Sequence, residues 1–248
     1  MLVLTFLAVM FVFWRRGREE HYPEDELFDA FFTAGFWGVI VSRAAFILLH
    51  FQTFQLHFWS WLDVINSPGF QPVFGLLVFA WMLYRVAQRQ KWNGYEVLDF
   101  ASMSTALGLA LSWVGNFLAG TGFGNPTTLP IGMNFPGVFD KRQPTQIYGM
   151  ILFFLLFVFL NWAELKYRTF SWYRDKRHSA QTGFLFGSFC IGYGLIGVIL
   201  SVLMPAQFTV MKTGLDIPLY LVIFVFGIYT IFQRSGRTLS LHKAKVHG

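Results

Sequence analysis

Residues 146–177 read QIYGMILFFLLFVFLNWAELKYRTFSWYRDKR. The first half is an apolar run dominated by Phe and Leu. The second half carries Lys166, Arg168, Arg174, Lys176 and Arg177. A bilayer solvates such a run, and roughly 20 apolar residues in a helix cross its hydrocarbon core. Positive side chains packed into the short loop that follows mark the end that stays in the cytoplasm. One stretch therefore predicts a transmembrane helix and also its direction.

The same pattern recurs on both sides. Apolar runs over residues 1–14, 27–50, 70–84, 97–118, 183–203 and 217–232 join the run at 146–162 to predict seven transmembrane helices. The predicted fold is an all-α integral membrane protein, a single polytopic domain over residues 1–248. The runs at 1–14, 70–84 and 217–232 are short, so each borrows flanking residues or crosses where the membrane is locally thin. The first run is not read as a signal peptide, because its charges, Arg15, Arg16 and Arg18, follow it and no small-residue cleavage site does.

Composition agrees. Of the 248 residues 55% are hydrophobic and 13% charged, with a mean hydropathy of +0.50, whereas soluble domains carry about 25% charged residues. The 31 Phe and 9 Trp suit lipid-facing and interfacial positions.

The net charge is +6. A basic excess can signal nucleic acid, but here the charges sit between apolar runs as topology signals do, so no nucleic-acid partner is expected. Of the 19 Lys and Arg residues, only Lys141, Arg142 and Lys212 fall in the loops opposite, and Arg43 stands within an apolar run. This bias predicts the N-terminus outside and the C-terminus in the cytoplasm. No internal repeat suggests a transporter of duplicated halves. Cys190, the single cysteine, lies in an apolar run and reads as a small helix residue.

Soluble-enzyme motifs are absent: there is no P-loop, no glycine fingerprint after a strand and no histidine pair at metal-binding spacing. Neither a cofactor nor a metal is expected. Polar residues concentrate instead in residues 111–149, LSWVGNFLAGTGFGNPTTLPIGMNFPGVFDKRQPTQIYG. Asn116, at the outer end of its helix, can bind a headgroup or join two helices. Gly120, Gly122 and Gly124 suit close backbone approach to a ligand or a plain turn. Lys141 and Arg142 form the cation pair on the outer side, suited to phosphate or to interfacial anchoring. Arg43, within the membrane, faces either a polar cavity or a structural partner. His50 and His57 on the outer side read as interfacial residues.

These stretches, in this order, resemble the prolipoprotein diacylglyceryl transferases, over roughly residues 27–234. The family signature Gly-Arg-x-Gly-Asn-Phe-x-Asn-x-Glu-x-x-Gly falls on residues 112–124, SWVGNFLAGTGFG. Residues 142–148, RQPTQIY, resemble an Arg-His-Pro-x-Gln-Leu-Tyr-Glu element, and Ser42-Arg43 a Gly-Arg element. Arg43, Asn116, Gly124, Arg142, Gln146 and Tyr148 match the family. Its charged residues do not all persist. Trp113 stands at the signature Arg, Thr121 at the signature Glu and Ala119 at the second Asn. Gly149 replaces the Glu after the tyrosine. The His-Gly-Gly element falls on Val73, Phe74 and Gly75, so its His is missing. The helix-six Arg and Glu fall on Gly197 and Ser201.

The resemblance implies a bacterial plasma-membrane enzyme. It would move the diacylglyceryl group of phosphatidylglycerol to the lipobox cysteine of a lipoprotein precursor, releasing glycerol phosphate. The implied lipid site comprises Arg43, Asn116, Gly124, Arg142, Gln146 and Tyr148, while the catalytic residues remain unassigned. The alternative is a non-catalytic protein on the same scaffold that holds an anionic phospholipid or a lipoprotein partner.

Overall fold

The computed structural model describes residues 1–55, 58–64, 66–175, 179–205 and 216–236. His57, Lys176, Arg177, Lys212, Arg237, Lys243 and Lys245 lie outside the described residues. The described residues form α1 (Leu2–Glu19), α2 (Glu24–Leu49), the short α3 (Phe51–Phe54) and α4 (Phe58–Leu62), α5 (Pro72–Arg89), α6 (Gly94–Leu118), α7 (Thr145–Lys166), a 3-10 turn (Tyr167–Thr169), α8 (Ser171–Arg174), α9 (Phe184–Leu203) and α10 (Asp216–Arg234).

Seven of these are long, and they cover the seven apolar runs. They overrun the predicted bounds most where a run meets charge. α1 continues to Glu19 because Arg and Glu are good helix formers and Arg15 pairs with Glu19 one turn on, at 3.1 Å. α5 continues through Arg85 to Arg89. α2 opens on Glu24, Asp25 and Glu26, which suit the positive end of the helix dipole. Pro72 opens α5, where its missing N–H costs nothing. Five helices are long and apolar enough to cross a membrane by length and composition: α2, α6, α9, α10 and α7 with its 3-10 extension. α1 and α5 fall short of that measure.

α6 is the centre of the bundle, packed against α1, α5, α7 and α9. Two-thirds of its spanning window is buried (67%), against 22% for α10 and 28% for α2, which stand at the periphery. Within lipid, apolar surface gains little by moving from tails to another helix, so close backbone approach must hold the bundle. α9 and α10 show how. A Cβ on Gly194 would stand 2.6 Å from the Tyr220 carbonyl oxygen, and one on Gly227 2.6 Å from the Gly187 oxygen. Only a hydrogen fits at either place.

Polar contacts gather the helix ends. The Arg16 guanidinium, near the end of α1, lies 2.8 Å from the Glu164 carboxylate of α7 and donates to Asn161. Tyr22 donates to Glu96 of α6 at 2.6 Å. Burial and the Glu96 carboxylate push this phenol well above its usual range. Asp99 of α6 accepts the N–H groups of Gly183 and Phe186 at 2.7 and 2.8 Å, so α6 caps the start of α9. Arg234 at the end of α10 donates to the Thr182 carbonyl and lies over the Tyr95 ring. The ends of α1, α7 and α10 and the starts of α2, α6 and α9 therefore share one end of the bundle, where Arg15, Arg16, Arg18, Lys166, Arg168 and Arg234 stand among carboxylates such as Glu19, Glu24, Glu96 and Glu164.

The opposite end is built by loops. The Gln71 N–H donates to the Ser42 carbonyl, tying the start of α5 to α2. Residues 119–144 form a folded loop in which Arg142 pairs across to Met133 through two backbone hydrogen bonds of 2.9 Å. The same loop reaches α9 through the Asn125 N–H on the Leu203 carbonyl, at 2.8 Å.

Candidate functional site

At that loop-covered end lies a cavity of about 450 Å³. Its walls come from six long helices and the folded loop. α2 supplies Phe46 and its C-cap His50. The entry to α5 supplies Phe70, Gln71 and Pro72. α6 supplies Leu109, Ser112, Trp113 and Asn116, and the loop Thr121 and Gly122. α7 supplies Phe153. Tyr193, Gly197, Leu200 and Ser201 come from α9, with Met204 just beyond it, and Tyr220 from α10. The walls are apolar, studded with hydroxyls and amides. Among the described residues no Asp, Glu, Lys or Arg lines the cavity.

Local chemistry shapes the loop side. Gly122 has φ +72, a left-handed conformation that favours glycine. Its carbonyl accepts from the Thr145 hydroxyl at 2.6 Å. Gln146 Nε2 donates to the Thr121 carbonyl at 2.9 Å. The first turn of α7 thus pins the two loop residues that face the cavity.

The expected site residues fall in different places. Asn116 lines the cavity. Gln146 is fully buried one layer behind Thr121, with its Oε1 lacking a hydrogen-bond partner. Gly124 is a packing position: a Cβ there would stand 2.8 Å from Gln143 and Thr145 and 2.9 Å from the Leu203 oxygen. Tyr148 is half-buried against the core shared by α6, α7 and α9.

Arg142 lies over the Phe123 ring, 5.7 Å from its centroid, and its Nε is buried without a hydrogen-bond partner. It is not among the cavity-lining residues. Neither is Arg43, whose donors are engaged elsewhere. Nε donates to the Trp61 carbonyl, Nη1 to those of Ser67 and Gly69, and Nη2 to those of Ser60 and Asp63, at 2.8–3.3 Å. A guanidinium has five N–H groups, and here all five hold the segment between α2 and α5.

Several residues of the site carried no sequence signal of their own. Ser112, Tyr193 and Tyr220 are ordinary in apolar helices, and only the packing shows that they share a wall. His50 was legible as an outer-side histidine but not as a cavity residue. The positions where the chain departs from the family pattern were legible, and four of them converge, while Val73 and Ala119 do not line the cavity. Trp113, Thr121, Gly197 and Ser201 all line the cavity. Gly149 lies directly behind Trp113, where a Cβ would stand 2.5 Å from the indole. Tyr220 covers Gly197 in the same way, with its ring Cγ 2.5 Å from where a Cβ would be. Aromatic rings fill the room that glycine leaves at two positions where the signature carries charge.

Comparison with known proteins covers nearly the whole chain. The family model described as "Prolipoprotein diacylglyceryl transferase" matches residues 1–233. A phosphatidylglycerol–prolipoprotein diacylglyceryl transferase of Clostridium tetani is 28% identical over 247 residues, covering 92% of this chain and 90% of the relative. The protein of that name from Shewanella sp. (strain ANA-3) is 27% identical, covering 95% and 86%. That from Cupriavidus pinatubonensis is 36% identical over a shorter stretch of 173 residues, covering 64% and 55%. Taken with the multi-pass helical bundle and the signature positions gathered on one cavity, the match over residues 1–233 shows that this chain belongs to the prolipoprotein diacylglyceryl transferase family.

Proposed function

We propose that this chain is a phosphatidylglycerol–prolipoprotein diacylglyceryl transferase of the bacterial plasma membrane, with seven membrane spans, the N-terminus outside and the C-terminus in the cytoplasm. The observation that carries this reading is the convergence of Asn116 with the departed signature positions Trp113, Thr121, Gly197 and Ser201 on one cavity. The reaction joins the lipobox cysteine sulfur to the glycerol carbon that bears the phosphate. The carbon–oxygen bond breaks, and glycerol phosphate leaves with the electron pair. A cavity among the helices, with apolar walls and a few hydroxyl and amide groups, suits a lipid substrate held close to its headgroup. Positioning of sulfur against carbon supplies most of the rate.

The phosphate needs a positive partner, because an unpaired charge in a dry site costs several kcal/mol. Arg142 is the cation assigned to it. Its Nε lacks a partner, and the Phe123 ring beneath it belongs to the same loop as Thr121 and Gly122. Asn116 supplies an amide to the headgroup, and Gln146 and Gly124 hold the loop that shapes the cavity.

A second reading stands on the neutral lining. With no charged side chain on the described walls, the scaffold can hold an anionic lipid or a lipoprotein precursor without turning it over. Expression in a bacterial strain that lacks its own transferase separates the two. Rescue of lipoprotein maturation supports the enzyme. Correct membrane insertion and retained phosphatidylglycerol binding without rescue support the binder.

A further inference from the structure

We propose that His50 is the proton acceptor for the incoming thiol, a role that among the described residues no other cavity-lining side chain can fill. The inference rests on the transferase reading above. A cysteine attacks as thiolate, so the site must take up its proton. The cavity lining offers hydroxyls of Ser112, Thr121 and Ser201, amides of Gln71 and Asn116, phenols of Tyr193 and Tyr220, one indole and one imidazole. Amides and the indole are not bases, and neutral hydroxyls and phenols are poor ones. The imidazole of His50 is left.

Its geometry fixes the tautomer. His50 Nδ1 lies 2.9 Å from the Phe46 carbonyl oxygen. A carbonyl can only accept, so Nδ1 carries the hydrogen and donates it. In the neutral ring Nε2 then has a free lone pair. The ring also packs against Phe46, 4.3 Å between centroids and tilted by 31°, so both its position and its rotation are held. Because His50 ends α2, it stands on the wall facing α6, α9 and α10 while its backbone N–H still bonds to the helix.

Among the described residues, these charged and titratable groups bear on it. Arg43 lies on the same helix over Phe46, engaged by its five carbonyls. Asp63, on the segment that Arg43 holds, accepts from Asn66. Tyr193 and Tyr220 line the far wall.

The step balances as follows. The thiol proton moves to Nε2, the sulfur pair forms the S–C bond, and the C–O pair leaves with the phosphate. The imidazolium appears as the leaving phosphate gains its second negative charge. In a cavity whose other described lining groups are neutral, that coincidence favours the transition state over the ground state.

The test uses the full-length protein in phosphatidylglycerol vesicles with a lipobox peptide. His50→Asn keeps an N–H donor for the Phe46 carbonyl and removes the proton acceptor. We expect a loss of about 100-fold or more in kcat, with KM for the lipid little changed. The wild-type rate should level off with rising pH, whereas in H50N it should go on climbing as the peptide thiol ionises unaided. Transfer by H50N within about threefold of wild type, or a large loss with an unchanged profile, overturns the role of His50 alone. No transfer by the wild type itself overturns the transferase reading along with it.

Discussion

Arg43 places five N–H groups against five backbone carbonyls of the segment between α2 and α5. Each such charge-assisted bond contributes about 1.5–3 kcal/mol. Lysine keeps the charge but offers only three donors. Arg43→Lys should therefore lower the thermal midpoint of the detergent-solubilised protein, and Arg43→Ala should lower it further. Arg142→Ala should leave the midpoint nearly unchanged and weaken phosphatidylglycerol binding by about tenfold or more, the loss of one charge-assisted contact. Thermal melts and lipid binding on the same three variants check both claims. Wild-type melting of R43K would refute the organising role of Arg43. A charge inside an apolar run is conspicuous in sequence, so the importance of Arg43 was legible. Its partners were not, because they are main-chain carbonyls 17–26 residues downstream, and a carbonyl leaves no mark on residue type.

At the scale of elements, α9 depends on a neighbour for its start. Gly183 and Phe186 give their N–H groups to the Asp99 carboxylate, which is 3% exposed. Asp99→Ala leaves two donors without partners in a dry setting, at about 1–3 kcal/mol each. The expected result is a clear fall in melting temperature and loss of protection from proteolysis near Gly183, read by limited digestion. An unchanged midpoint would show that water replaces the carboxylate.

The helices themselves were plain in the sequence, since apolar runs of that length leave few alternatives. Their ends were less so. The segments that carry α1 to Glu19 and α5 to Arg89 open and close on charged residues, and hydropathy stops where charge begins although helix propensity does not. Helices α3 and α4 were missed because four or five residues such as Phe51–Phe54 hold too few turns to show a period. The glycines at the α9–α10 contact are visible in sequence, but their pairing appears only in the bundle.

On the scale of the whole molecule, the helix ends that carry Arg16, Lys166 and Arg234 share one end of the bundle and the cavity lies at the other. On the proposed topology, with the Lys- and Arg-bearing end in the cytoplasm, the cavity would open toward the outer leaflet. Reporters fused after Arg18, Lys91 and Arg234 should read as cytoplasmic, and reporters near Asn66 and Lys141 as external. A cytoplasmic signal from Lys141 would reverse the orientation and remove the cavity from the outer leaflet.

The signature positions were legible as departures, one residue at a time. Their convergence was not, because residues 113, 121, 197 and 201 come from two helices and a loop that only folding brings together. That convergence makes the central claim testable. The most direct measurement is the mass of a lipobox peptide after incubation with the purified protein in phosphatidylglycerol vesicles. The structure predicts a peptide heavier by one diacylglyceryl group on its cysteine, with glycerol phosphate released in equal amount, at a turnover below that of a relative carrying the full signature. An unmodified peptide, from protein that still binds phosphatidylglycerol, would contradict it.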